Sequence, residues 1–192
     1  MSEPALSVAL TTEAFRVILE RFQAPLIRFV QQLTHSDEDA HDLVQDAFVD
    51  AWRATQRQTP PFVAGGDERA VRNWLFRAAY CNAISVLRHR GVITWESLAI
   101  YDAADDAAPA APGCFEDQVI EGEALRAALA ALESTDVACL RLSTIEGFST
   151  AEIAQILDIA PAAARKRLSR AMHRLRAAYL AQEADARKRE TV

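Results

Sequence analysis

Arg165, Lys166, Arg167, Arg170, Arg174 and Arg176 fall within one short stretch near the C-terminus. Cations at this density neutralise phosphate oxygens and release the counterions condensed on a nucleic acid. The plain alternative is a solvated basic face on an ordinary helical hairpin. A second basic set, Arg72, Arg77, Arg88, His89 and Arg90, shares its stretch with Tyr80 and Asn82. Aromatic and basic residues on one element suit melted or single-stranded nucleic acid, where bases stack and cations follow the backbone. An exposed basic helix with core aromatics explains the same pattern. Catalytic constellations are missing: there is no Ser/His/Asp, Cys/His or Gly-rich phosphate signature. Glu38 and His41 have the E-x-x-H spacing of di-iron bundles, but those sites need a second copy and two further Glu, and no second copy is found. The expectation is a binding protein, not an enzyme, with no cofactor and no metal.

The C-terminal basic set needs a helix to carry it. Ser149 and Glu152 spell a capping box, and Ile153, Ala154, Ile156 and Leu157 give the helix behind it an apolar stripe. Asp158-Ile159-Ala160 interrupts the pattern, and Pro161 suits the first turn of a new helix. Leu168, Ala171, Leu175 and Ala178 are that helix's expected buried face. Two helices around a short turn, the second basic, predict a helix-turn-helix. Val119, Leu125, Ala128, Leu129 and Leu132 predict a helix before it, and Val137, Leu140, Leu142 and Ile145 another, closed by Gly147.

Towards the N-terminus, residues 1–11 read as a frayed arm. Phe15, Ile18, Leu19, Phe22, Leu26, Phe29, Val30 and Leu33 recur at helical spacing, with Thr12 as a cap and Pro25 as a point of kinking or division. Ser36 caps a second helix whose buried stripe is Ala40, Leu43, Val44, Ala47, Phe48, Ala51 and Trp52. Asp39, Asp42, Asp46 and Asp50 fall on its other side, an acidic face suited to a basic partner surface. Pro60-Pro61 and Gly65-Gly66 mark a loop from Gln56 to Arg69, with Phe62 and Val63 as exposed apolar candidates. A third helix, roughly Arg69 to Arg90, carries the other basic set. Its expected buried side is Val71, Trp74, Leu75, Ala78, Ala79, Ile84 and Leu87, with Tyr80 and Asn82 at the surface.

Charge is segregated. The chain of 192 residues has a net charge of −6, which argues against nucleic acid until its distribution is considered. Residues 161–192 hold nine basic and three acidic side chains, whereas residues 96–123 hold eight acids and no base. Local patches, not the total, set phosphate affinity. Ala99 to Gly113, rich in alanine and proline, reads as a linker. Residues Gln182 to Val192 read as a frayed tail. Three single, widely spaced cysteines fit neither a zinc site nor a disulfide framework and suit a reducing cytoplasm. The N-terminus does not read as a signal peptide, and no apolar run approaches a membrane span, so membrane insertion is not expected.

The order of these parts resembles a bacterial sigma factor of the sigma-70 family, in its extracytoplasmic-function (ECF) group. The resemblance runs from about Phe15 to Leu180. Asp39-Ala40-His41-Asp42-Leu43-Val44-Gln45-Asp46-Ala47-Phe48 is similar to the family's A-x-D-L-V-Q-D-x-F helix. Trp74-Leu75-Phe76-Arg77-Ala78-Ala79, continuing to Leu87-Arg88-His89-Arg90, is similar to its W-L-x-x-I-A helix. Gly147-Phe148-Ser149, Glu152-Ile153-Ala154 and Arg167-Leu168-Ser169-Arg170-Ala171 are similar to its C-terminal helix-turn-helix. The resemblance implies an all-α fold of two small helical domains, like sigma regions 2 and 4. These are residues 12–95 and 116–181, joined by an acidic linker at 96–115.

It also implies partners and sites. Core RNA polymerase would be bound through Asp42, Leu43, Gln45, Asp46 and Phe48, the polar three being the better contacts. The promoter's minus-ten element would meet Phe62, Arg77, Tyr80, Asn82 and Arg88. The minus-thirty-five element would meet Ala162, Ala163, Arg165, Lys166, Arg167, Arg170 and Arg174. An anti-sigma factor is a further partner of the family's kind, and the site of action would be the cytoplasm.

Three positions depart from the family pattern. Cys81 and Ser85 stand where the third helix usually has Asn and Asp, and Asp158 replaces the usual Gly of the turn. Ala162-Ala163-Ala164 opens the recognition helix without a hydrogen-bonding side chain, leaving thymine-methyl contact to it and anchoring to Arg165, Lys166 and Arg170. Two other readings keep the same folds: a sigma-like decoy for an anti-sigma protein, and a free-standing helix-turn-helix regulator, which would usually dimerise.

Overall fold

A computed structural model describes residues 12–57, 59, 61–62, 67–91 and 122–190. The expected arm at 1–11, Val63, the linker Ala99–Gly113 and Val119 lie outside the described residues. Helices and turns make up everything described. The chain divides into two compact units.

The first unit is a three-helix bundle of α1 (Thr12–Thr34), α2 (Asp37–Gln56) and α3 (Glu68–His89), each packed on the other two. Pro25 neither breaks nor divides α1. Phe22, Leu26 and Phe29 are buried on both sides of it along one face, and that burial outweighs the one backbone hydrogen bond the proline removes. The turn into α2 is tight: His35 adopts φ +54° while its N–H donates to Gln31 C=O at 2.8 Å. Ser36 is the N-cap, its Oγ accepting from Asp39 N–H at 3.2 Å. Asp37, Glu38 and Asp39 fill the first turn, where negative charge opposes the helix dipole favourably. α3 starts one residue before the expected boundary because Asp67 caps it, accepting from Arg69 N–H at 3.0 Å. The core includes three aromatic contacts: Phe15 on Trp52 (5.0 Å), Phe29 on Phe76 (5.3 Å) and Phe62 on Trp74 (5.0 Å).

The second unit is built on α4 (Gly122–Ala130), α5 (Ser134–Thr144) and α7 (Pro161–Glu190), with α6 (Thr150–Leu157) leading into α7 through a short turn. Both α4 and α5 pack on α7. Gly147 takes φ +67°, which lets Phe148 N–H fold back on Leu142 C=O at 2.9 Å. Ile145, expected in the buried stripe of α5, instead caps that helix and is 65% exposed. The expected frayed tail is also corrected: α7 continues to Glu190.

Candidate nucleic-acid interface

α6 and α7 hold the C-terminal basic set through local chemistry. The capping box of α6 is closed in both directions. Ser149 N–H donates to Glu152 Oε2 at 2.8 Å, and Glu152 N–H donates to Ser149 Oγ at 3.3 Å. Asp158 supplies the left-handed residue of the turn at φ +57°, a conformation its short polar side chain tolerates better than most. Pro161 then begins α7. Ala162, Arg165 and Lys166 are exposed; Ala163, Ser169 and Arg170 are half-buried. At about 100° per residue these side chains occupy one broad side of the helix. His173 and Arg176 extend it, both exposed.

Two expected phosphate contacts are not on that side. Arg167 is 1% exposed. It shares the inner face of α7 with Ala164 and Ala171, both fully buried, and a guanidinium enclosed there offers nothing to DNA. Arg174 turns toward α5 and donates to Asp136 Oδ2 at 2.7 Å. The inner face is therefore centred on Ala164 and Ala171. Of the expected face, Ala171 is fully buried, whereas Leu168, Leu175 and Ala178 are only partly buried.

On α3 the expected minus-ten set is scattered between surface and core. Arg77 is exposed and Arg88 is half-buried. Tyr80, expected at the surface, is 4% exposed. Asn82 is half-buried, and its side-chain amide donates to Leu43 C=O of α2 at 3.4 Å. Phe62, expected as an exposed loop residue, is fully buried with its ring edge on Trp74. Packing in the three-helix bundle encloses the Tyr80 and Phe62 rings, which gain more from burial than from water. Arg72, half-buried, lies with its guanidinium 5.7 Å from the Phe76 ring.

α2 presents a clean division. Asp42, Gln45, Asp46 and Asp50 are exposed, whereas Leu43 and Phe48 are buried with Ala40, Val44, Ala47 and Ala51. The acidic face is held at one end by Arg90, which forks onto both oxygens of Asp39. That guanidinium holds the Asp39 carboxyl below the usual carboxylate range. In the second unit, burial pushes the Cys139 thiol up to about 12. Among the described residues no cluster of His, Cys, Asp and Glu could hold a metal ion, and no helix is long and apolar enough to cross a membrane.

Comparison with known proteins agrees with this layout. Residues 18–92 match Sigma-70 region 2, and residues 122–175 match Sigma-70 region 4. The chain belongs to the sigma-70 family, in its ECF group. Over 150 residues this sigma factor is 30% identical to the ECF RNA polymerase sigma factor SigE of Mycolicibacterium smegmatis, covering 78% of this chain and 55% of that one. Over 179 residues it is 29% identical to the ECF RNA polymerase sigma factor SigL of Mycobacterium tuberculosis, covering 92% of this chain and 94% of that one. The fold is similar to that of RpoE from Bartonella quintana, solved in complex with the anti-sigma factor NepR. The TM-score is 0.60 at 24% identity, covering 87% of this chain and 97% of that one.

In region 4 of this sigma factor, sequence reasoning missed the buried role of Arg167. The signal was present: Ala164, Arg167, Ala171 and Arg174 recur at three and four, which is one helix face. Charge alone does not separate a buried cation from an exposed one; spacing does. Ser169 and His173, outside the Arg/Lys set, also stand beside Lys166 and Arg170 on the outward side.

Proposed function

We propose that this sigma factor binds core RNA polymerase and directs it to specific promoters. Region 4 anchors duplex DNA at the minus-thirty-five element through the outward side of α7. Region 2 tethers polymerase through Asp42, Gln45 and Asp46, and α3 receives unstacked minus-ten bases, with Arg77 and Arg88 tracking the strand. The observation that carries this reading is the pairing of two opposite surfaces in one chain. An exposed acidic side on α2 suits a basic protein surface, and an exposed basic side on α7, headed by Arg165 and Lys166, suits phosphate. Ala162 and Ala163 reach a thymine methyl but no hydrogen-bonding edge. Bond making belongs to the polymerase; this chain supplies position and strand capture. It works in the cytoplasm, where polymerase is. The complex of RpoE with NepR supports an anti-sigma partner here as well.

Run-off transcription tests the reading directly. Purified bacterial core polymerase is combined with this protein on DNA from upstream of its own gene. A transcript that depends on the added protein is expected. Polymerase binding without a transcript from any tested promoter would favour a decoy, and absence of polymerase binding would favour a free-standing regulator.

A further inference from the structure

Asp136 lies in the first turn of α5 with no exposed surface. Arg174, on α7, donates to it at 2.7 Å while about half of its own side chain remains in solvent. Arg167 stands seven residues earlier on the same face of α7, buried. Both Asp136 and Arg167 act electrostatically on the Cys139 thiol, so these groups share one interior. The same face carries alanine beside the arginines: Ala164, ahead of Arg167, and Ala171, between the two, are fully buried.

That composition has a mechanical consequence. Alanines permit close helix approach but are small and smooth, and they fix neither the rotation nor the register of α7. A buried carboxylate facing a guanidinium fixes both. Turning α7 by one residue, about 100°, carries Arg174 away and takes its guanidinium from a fully buried carboxylate, a costly change for such a pair. A buried polar contact is best attested in this registering role. The rotation of α7 also decides which of its side chains point outward.

We propose that Asp136, acting through Arg174, is a positioning residue for minus-thirty-five recognition. The pair sets the rotation of α7 so that Ala162, Arg165 and Lys166 face the groove, and Arg174 is a lock, not a phosphate contact. The inference rests on the function proposed above.

The test uses the full chain assembled with core polymerase, as wild type, Asp136→Asn, Asp136→Glu and Arg174→Ala. The probe is a duplex library randomised over the minus-thirty-five window, with retained DNA sequenced and affinity for a non-specific duplex measured across salt. For Asp136→Asn and Arg174→Ala the ratio of specific to non-specific binding is expected to fall about tenfold, spread over every position of the window. The salt slope on non-specific DNA stays at the wild-type value, and Asp136→Glu recovers part of the ratio. A merely structural role lowers the folded fraction and reduces both kinds of binding together; an unchanged ratio therefore overturns the proposal. So does a retained ratio with a salt slope reduced by about 0.9 in Arg174→Ala, the mark of a lost phosphate contact. Should Asp136→Asn fail to fold, Arg174→Ala decides, because that side chain is half in solvent. A wild-type complex with no base preference at all would sink the function proposed above, a result distinct from any difference among the variants.

Discussion

Arg90, at the C-terminal end of α3, grips Asp39 in the first turn of α2 with two nearly parallel bonds, 2.6 Å to Oδ2 and 2.8 Å to Oδ1. The fork ties two helix ends that are 51 residues apart in sequence. Asp39 also donates its backbone N–H to the Oγ of the Ser36 cap, so the clamp and the helix start are one unit. Bidentate geometry makes such a pair more specific than a single contact.

The clamp predicts an acid dependence. The Arg90 hydrogen bond holds the Asp39 carboxyl below its ordinary value of 3.8. A depressed carboxyl contributes stability that is present above its unfolded pKa and is lost as pH falls through its folded one. Arg90 is held protonated more tightly and stays charged throughout the accessible range. Asp39→Asn should therefore melt below wild type at neutral pH, and the two melting curves should converge as pH drops through the carboxylate range. A gap that persists in acid would assign the loss to packing.

Phe62 behaves as core. Phe62→Ala should destabilise the first unit by about 3 kcal/mol, the ordinary cost of removing a buried aromatic, measured by urea denaturation. A loss of under about 0.5 kcal/mol would restore the expected exposed role.

The surface of α7 divides its cations into two kinds. Arg165→Ala with Lys166→Ala should lower the slope of log affinity against log salt by about 0.9 for each phosphate contact removed, at unchanged melting temperature. Arg167→Ala should do the reverse, lowering the melting temperature because a buried polar side chain is removed from its interior. Equal slopes in all variants would take Arg165 and Lys166 off the phosphate surface.

On α2, Asp46→Arg should weaken polymerase binding while the circular dichroism melt stays at the wild-type value, since Asp46 is exposed. Leu43→Ala should lower the melt by about 2–5 kcal/mol worth of stability, because Leu43 is 8% exposed. Wild-type polymerase affinity in Asp46→Arg would count against the acidic face as the docking surface.

The Cys139 thiol, raised to about 12 by burial, should resist iodoacetamide at pH 8 in the native protein and react on unfolding, read by mass spectrometry of the modified peptide. Rapid native labelling would mean that the second unit opens readily.

Local sequence determined the elements. Ser36, the Ser149/Glu152 box, Pro161 and Asp158 announce their caps and turns through backbone chemistry that needs no distant partner. The apolar period of α1 and α2 then specifies which face each helix buries. The order of the motifs determined the family. Tertiary structure decided the rest, because a side chain's role depends on what the other helices bring to it. Pro25 stays helical because the bundle buries both its flanks. Tyr80 and Phe62 move inward because helix packing encloses them. Arg167 and Arg174 look like Arg165 in the sequence and differ through what packs on α7: Arg167 is enclosed, and Arg174 meets the buried Asp136 of α5. Charge composition reports that cations are present; only the rotation of α7 about its axis separates those that face solvent from those that hold the helix in place.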